Sequence, residues 1–287
     1  MMKLSNKISI DTIVPIVLIS ICSFRLFPQD PHRIDSLQGL LTSAKDDTGK
    51  VKLLYALADQ YRNSKTDTAI YFLKEALEMA EKTESDKFIA ECLIALGANF
   101  QRSGMQDTAI LFLERARSIS EITGDKKNMS TAILNIGICK HEQGFYQTAV
   151  EHYLKAIEIA GEAGFKTGEA RCFNNLGIAY YDQGSYEKSI EAYLQALRIN
   201  EELGEKRSMS ACLNNIGIVH QEQLSFDKAI EYYEKALVLK EEIDDKRGMA
   251  ICRINIGNIY NKQGVYDKAI EYYNIALEIF EETGNKK

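Results

Sequence analysis

Asparagines that recur every 40 residues are the side chains whose type and spacing best suit one chemical task, the holding of a polypeptide backbone. An amide side chain both donates and accepts hydrogen bonds. A row of amides spaced roughly 10 Å apart on neighbouring helices can therefore hold an extended peptide without reading its sequence. At about 0.5–1.5 kcal/mol per hydrogen bond, four amides fall short of the roughly 8 kcal/mol of micromolar affinity, so other contacts must supply specificity. The row consists of Asn135, Asn175, Asn215 and Asn255, preceded at the same spacing by Tyr55 and Ala95.

Further polar side chains extend this candidate peptide-binding face. Among the charged residues, Arg62 and Arg102 stand near the first two copies of the row, whereas Glu142, Asp182 and Glu222 stand near the middle. A peptide with acidic residues toward one end and basic residues toward its middle fits this pattern. The alternative is that the asparagines bond neighbouring backbone or water and serve only the structure. The additional candidates are Asn174, Asn214, Asn258, His141, Tyr181, Gln221 and Asn261.

The sequence contains no pattern typical of catalysis or metal binding. Its four histidines lie far apart, and no pair of them has metal-ligand spacing. A G-x-S-x-G elbow, a glycine-rich phosphate loop and a carboxylate pair with a polar pocket are also missing. The net charge of -6, with alternating signs, lacks the basic footprint that nucleic-acid binding requires. We therefore expect a non-enzymatic protein without cofactor or metal, whose partner is a protein or an extended peptide rather than nucleic acid.

Five cysteines are expected to act as small buried hydrophobic residues. Equivalent positions on neighbouring helices lie about 8–10 Å apart, beyond the roughly 7 Å between Cα atoms that a disulfide can bridge. Four of them, Cys92, Cys172, Cys212 and Cys252, share one column of the repeat, and Cys139 belongs to another.

Columns of similar residues divide the chain after residue 50 into units of 40 residues. Within a unit, apolar residues recur every three or four positions, which predicts helices. The segment Gln183-Gly184-Ser185 predicts a tight turn, so each unit is a helical hairpin. Small residues on both helices let the two backbones approach, and a bulky residue fills the space beside them. The glycine column is Gly97, Gly137, Gly177, Gly217 and Gly257, and the bulky column is Leu73, Leu113, Tyr153, Tyr193, Tyr233 and Tyr273.

This pattern resembles the tetratricopeptide repeat (TPR). The motif residues of the fourth unit are Phe173, Leu176, Gly177 and Tyr180, followed by Ser189, Tyr193 and Ala196. The resemblance implies an all-α, right-handed superhelix of six hairpins whose concave face, lined by first helices, binds peptides. Asparagine ladders contact peptide backbone in related superhelical repeat proteins. The 40-residue unit is longer than the usual 34 and resembles those of kinesin light chain-type adaptors and of the sensor regions of bacterial TPR-containing two-component kinases. The predicted repeats are 50–89, 90–129, 130–169, 170–209, 210–249 and 250–287.

The N-terminus carries an apolar stretch from Thr12 to Phe24 that is preceded by lysines. Its length fits the core of a signal peptide better than a membrane span, which needs about 20 residues. Residues 1–27 are therefore predicted to be a signal peptide or an N-terminal membrane anchor. The predicted location is outside the cytoplasm, periplasmic or membrane-anchored in a bacterium. Residues 28–49 are predicted to form a capping helix and linker, with Pro31 as the first helical residue.

The last hairpin lacks the polar closing helix that solenoids normally carry. Ile270, Ala276, Leu277 and Phe280 are expected to remain partly uncovered. The main functional hypothesis is an interaction scaffold that binds a partner on the concave face. One alternative is the sensory fragment of a two-component histidine kinase or transcription regulator. Another is self-assembly through the open C-terminal end.

Overall fold

The computed structural model describes residues 31–44, 46–62 and 64–284. The segment 1–27, predicted to be a signal peptide or membrane anchor, lies outside these residues. The predicted export rests on that segment and stays a prediction. The described part consists of 13 α-helices and contains no strand. None of these helices is both long and apolar enough to cross a membrane. The helices are α1 (Pro31–Ser43), α2 (Asp47–Tyr61), α3 (Thr66–Lys82), α4 (Asp86–Arg102), α5 (Gln106–Thr123), α6 (Lys126–Glu142), α7 (Tyr146–Glu162), α8 (Lys166–Asp182), α9 (Tyr186–Leu203), α10 (Lys206–Glu222), α11 (Phe226–Glu242), α12 (Lys246–Lys262) and α13 (Tyr266–Gly284).

Helices α2 to α13 pair into six consecutive hairpins, and each hairpin packs on the next. The first helices begin three or four residues before the unit boundaries that the sequence pattern indicated, as at Asp86 and Lys126. Helix α1 packs on α2, the first helix of the first hairpin. Helix α1 begins at Pro31 and buries Ile34. The helical spacing of Ile34, Leu37, Leu40 and Leu41 predicts one apolar stripe, yet Leu40 is 52% exposed.

A glycine stands against a bulky ring in the middle of most hairpins. A Cβ atom placed at Gly137, Gly177, Gly217 or Gly257 would lie 2.6–2.7 Å from Cε1 of the tyrosine on the partner helix. In the second hairpin, Leu113 takes the place of the ring against Gly97. The bulky residue therefore lies directly on the glycine, and the absence of a Cβ atom is what allows the two helices to approach.

The turns inside the second to sixth hairpins each contain a left-handed residue. Four of them use glycine, at Gly104, Gly144, Gly184 and Gly264, with φ between 72° and 83°. The fifth hairpin has Leu224 at this position, with φ 58° and 68% of its surface exposed. A left-handed conformation brings the Cβ atom of an L-residue too close to the following carbonyl oxygen. The backbone is therefore strained at Leu224, whereas glycine adopts the same conformation without this clash in the other four turns.

We expect Leu224→Gly to raise the free energy of unfolding by about 0.5–1 kcal/mol. Relief of the left-handed strain is worth about 1–2 kcal/mol, and the greater freedom of glycine in the unfolded chain offsets roughly half of that. Urea unfolding followed by circular dichroism measures the difference. The matched control is Leu111→Gly, because Leu111 is 72% exposed within α5 and should lose about 1 kcal/mol. A loss of stability in Leu224→Gly would contradict the strain assignment.

The first helices lie on the inner side of the curved stack. Helix α4 contacts α6, and α6 contacts α8, whereas second helices of neighbouring hairpins make no comparable contact within the described residues. Closest approach marks the inner radius of a bent stack, so the molecule is an all-α superhelix with first helices along its concave face. At the last hairpin, Ile270, Leu277 and Phe280 are 55%, 54% and 37% exposed, as expected. Ala276 is buried, contrary to expectation, because it packs within its own hairpin.

Candidate peptide-binding face

The inner face is formed by one stripe of each first helix. On α8, one stripe of residues with accessible surface recurs every three or four positions, at Thr167, Arg171, Asn174, Ile178 and Tyr181. The opposite side of the helix, including Cys172 and Leu176, is buried against the second helices. This spacing follows from the 3.6 residues of one helical turn, and it repeats along the stack to give a continuous groove wall.

Two pairs of asparagines bond to each other across neighbouring first helices. Asn215 Nδ2 donates to Asn174 Oδ1 at 3.3 Å, and Asn255 Nδ2 donates to Asn214 Oδ1 at 3.1 Å. Asn214 is only 6% exposed. The structure thus joins residues 41 positions apart, and in the fourth to sixth repeats these four amides connect one first helix to the next.

The remaining two asparagines of the predicted row differ from each other. Asn175 is 5% exposed, and its Nδ2 donates to the backbone carbonyl of Arg171 at 2.8 Å. Asn135 is half-buried and makes no side-chain hydrogen bond with the described part of the chain. Of the four predicted positions, Asn135 therefore has the amide most available to a ligand.

The other predicted residues lie on the stripe or at its end. His141 Nε2 is 2.7 Å from Asp182 Oδ2 in the next repeat. Gln221 Oε1 accepts from the Tyr233 hydroxyl at 3.2 Å, and Asn258 Oδ1 accepts from the Tyr273 hydroxyl at 2.8 Å. The rings of Tyr181 and Tyr186 have centroids 5.8 Å apart. Tyr181 and the exposed Asn261 make no side-chain hydrogen bonds among the described residues.

Charges at the ends of the first helices change sign along the stack. Positions 62 and 102 carry arginine, positions 142, 182 and 222 carry acids, and position 262 carries lysine. Burial, reinforced by the charges of Glu222 and Asp182, raises the pKa of the Tyr181 hydroxyl above its usual range. The middle of the face is therefore electronegative. Lys262, 3.9 Å from Glu222, belongs to this column and was missed by the sequence analysis although the spacing of 40 points to it.

Sequence analysis also missed the apolar part of the face. Ile138, Ile178 and Ile218 follow the column glycines by one residue and are half-buried, each packed against a core cluster. Their regular recurrence every 40 residues was the available signal. A ligand that lies along the stripe meets these side chains beside the polar ones, which adds apolar contact to the hydrogen bonds.

The thiols of the described cysteines are buried and free, as predicted. Burial raises the pKa of Cys92, Cys139, Cys172 and Cys212 to about 12 and that of Cys252 to about 11. Thiols with such pKa values are protonated at neutral pH and are poor nucleophiles. Within the described ranges, no group of three or more histidine, cysteine or acidic residues is placed to hold a metal ion.

Two family models match the chain. The model described as tetratricopeptide repeat matches residues 128–202 and 208–282. The model described as SusR N-terminal TPR domain matches residues 28–107. Among curated proteins, none matches the chain.

Solved structures share the superhelical fold at low sequence identity. BtubC (BKLC) from P. vanneervenii has a TM-score of 0.69 and 19% identity, over 77% of this chain and 93% of that chain. A Rap protein complexed with competence and sporulation factor has a TM-score of 0.66 and 18% identity, over 88% of this chain and 71% of that chain. A putative kinesin light chain of Podosopora anserina, with nearly identical TPR-like repeats, has a TM-score of 0.55 and 16% identity, over 70% of this chain and 100% of that chain.

These similarities at under 25% identity establish the fold alone. The family itself is assigned by the tetratricopeptide repeat model. Its two matched segments cover just over half of the chain and coincide with the hairpins α6 to α13. The resemblance in the glycine and tyrosine columns is thus confirmed, and the chain belongs to the tetratricopeptide repeat family.

Proposed function

We propose that this TPR protein is a non-enzymatic interaction scaffold that binds an extended segment of a partner protein along its inner face. The observation that carries the proposal is the mixed character of that face. Asn135 and Tyr181 retain unused hydrogen-bonding groups there, beside the half-buried Ile138 and Ile178. An extended peptide presents backbone amides and side chains together, so it suits a surface of this kind.

The neighbouring structures support the same proposal. The Rap protein was solved in complex with competence and sporulation factor, and its fold matches this chain over 88% of the present length. Two clefts among the described residues are open to solvent and not enclosed cavities, one of about 420 Å³ between the last two hairpins and one of about 110 Å³ between α2 and α4. An elongated ligand on a long face fits this shape better than a small molecule enclosed in a pocket.

A library of random linear peptides selected against the full chain tests the proposal. We expect selected peptides to bind the double variant Asn135→Ala, Tyr181→Phe about tenfold more weakly, because two hydrogen bonds of about 0.5–1.5 kcal/mol each are lost. Isothermal titration calorimetry measures the affinities. Both substitutions remove polar atoms without adding volume, so the helical circular dichroism spectrum should be unchanged.

The matched control is the double variant Gln147→Ala, Gln195→Ala. Both glutamines are exposed on second helices of the same two repeats, away from the inner face. Selected peptides should bind this variant with unchanged affinity. Equal weakening by the two double variants, or a failure to select any peptide, would contradict binding along the inner face.

A second candidate function is the sensory part of a longer regulator. The observation in its favour is the match of residues 28–107 to the SusR N-terminal TPR domain, a model for a domain at the start of another protein. In that case the same inner face binds the signal, and the output belongs to a further domain. A genomic reading frame that continues into a membrane span and a catalytic or regulatory domain would favour this candidate over a free-standing scaffold.

A further inference from the structure

Two arginines occupy equivalent places at the ends of neighbouring first helices. Arg102 is the last residue of α4, and Arg62 directly follows α2 as its C-cap. The same two places in the fifth and sixth repeats are held by Glu222 and Lys262, whose charged groups lie 3.9 Å apart. This column of the superhelix thus brings the charges of adjacent repeats close together, and in the first two repeats both charges are positive.

Among the described residues, a single carboxylate balances the two guanidinium groups. Arg62 Nη1 lies 3.1 Å from Asp59 Oδ1. Arg102 forms no ion pair with the described residues, and its Nη2 donates to the amide oxygen of the buried Asn99 at 2.9 Å. The Nε atom of Arg102 is buried and has no hydrogen-bond partner in the described part of the chain. The pair therefore carries a net charge of about +1, and one strong donor is unused.

Arg102 is held in an electrostatically unfavourable position. Burial and the charge of Arg62 lower the pKa of Arg102 to about 10, against the opposing effect of Asp59. The guanidinium remains charged at neutral pH. A partly buried cation without a carboxylate partner costs free energy, and an incoming anion that accepts from the guanidinium relieves that cost.

The acids of the neighbouring repeat do not neutralise this pair. Glu142, the next residue of the column, accepts hydrogen bonds from Gln101 and Gln106. Asp182 pairs with His141 one repeat further along. The positive region is therefore confined to the first two repeats, and it adjoins the electronegative middle of the inner face.

We propose that Arg62 and Arg102 form an anion subsite that takes one carboxylate from an acidic residue of the bound segment. The subsite rests on the proposed function, because it receives part of the same ligand. A guanidinium group offers two parallel donors that match the two oxygens of a carboxylate. A single negative charge balances the net charge of the pair, whereas a phosphate group, with about two charges at neutral pH, leaves an excess.

The test compares peptide selections against the full wild-type chain and against Arg102→Gln. Wild-type selections should share an aspartate or glutamate at one position, and the Arg102→Gln selections should lose it. Replacing that acid by its amide should weaken binding to the wild type about tenfold or more, since hydrogen bonds to charged groups contribute about 1.5–3 kcal/mol. The same replacement should change binding to Arg102→Gln less than about twofold.

Two further variants keep the test decisive. Arg62→Gln replaces the arginine that pairs with Asp59 and serves if Arg102→Gln does not fold. Arg115→Gln is the matched control, because Arg115 is an exposed arginine on α5 that pairs with Glu81, and it should preserve the preference for the acid. A selected peptide with phosphoserine in place of the acid should bind no more tightly than the original.

The outcomes separate the subsite from the function on which it rests. A complete lack of selected peptides would overturn the proposed function and the subsite together. Peptides that bind the inner face without a shared acid, or whose acid contributes equally in Arg102→Gln, would overturn the subsite and leave the function standing. Tighter binding of the phosphoserine peptide would overturn the assignment to a carboxylate.

Discussion

Replacing Tyr233 by alanine is expected to lower the free energy of unfolding by about 3–5 kcal/mol. Tyr233 is fully buried in the fifth hairpin, where its ring lies against Gly217 and within a cluster that includes Ile256 and Ile259. Because glycine has no side chain that can move into the space, truncation leaves a cavity between two helices. Guanidinium chloride unfolding followed by circular dichroism measures the loss.

Tyr233→Phe is the matched control for this prediction. It keeps the ring and removes only the hydroxyl, which donates to Gln221 Oε1 at 3.2 Å. The expected loss is about 0.5–1.5 kcal/mol, the net value of one hydrogen bond. If the alanine variant lost no more than the phenylalanine variant, the ring would not be the element that holds α10 and α11 together.

The second large effect is expected at the glycine side of the same contact. In Gly177→Ala, the new Cβ atom would lie 2.6 Å from Cε1 and 2.7 Å from Cδ1 of Tyr193, a ring that is 2% exposed. Overpacking of this kind costs about 1–3 kcal/mol. Helix propensity alone favours alanine over glycine by about 1 kcal/mol, so close packing is expected to reverse the sign of the substitution. Thermal unfolding should show a lower Tm.

Gly161 supplies the control, because it is a helical glycine in open space. Apart from its chain neighbours and the backbone of its own helix, no atom lies within 4 Å of a Cβ atom placed there, near the end of α7. Gly161→Ala is therefore expected to raise stability by up to about 1 kcal/mol. Two glycine-to-alanine changes with opposite signs would identify contact with the tyrosine ring as the cause. A gain in both variants would mean that α8 and α9 are not as close as described.

Most of the fold could be predicted from the sequence, because the residues that determine each helix and turn are close together in the chain. The turn at Gly184 and a helix that begins at Pro31 were predicted correctly. Each repeat contacts mainly its neighbours. The structure predicted for one repeat therefore applies to the other repeats. The errors concern the burial of single residues, as with the exposed Leu40 and the buried Ala276.

The candidate site was harder to predict from the sequence than the fold. Asn135 and Asn175 are equivalent in the sequence, yet one keeps a free amide and the other bonds to the backbone of its own helix. The bonded asparagine pairs are 41 residues apart, not 40, so the column alone does not identify them. Nor does the sequence distinguish Arg102, which is partly buried without an acid, from Arg115, which pairs with Glu81.

The series of helical hairpins built from a 40-residue unit follows from local signals in the sequence, because the helical period and the turn residues act within a few positions of one another. The set of polar groups on the inner face that remains available to a partner follows instead from the packing of the whole stack. That outcome depends on how far apart neighbouring first helices lie and how each is rotated, and both are set by packing between units, as where the tyrosine rings rest on the column glycines.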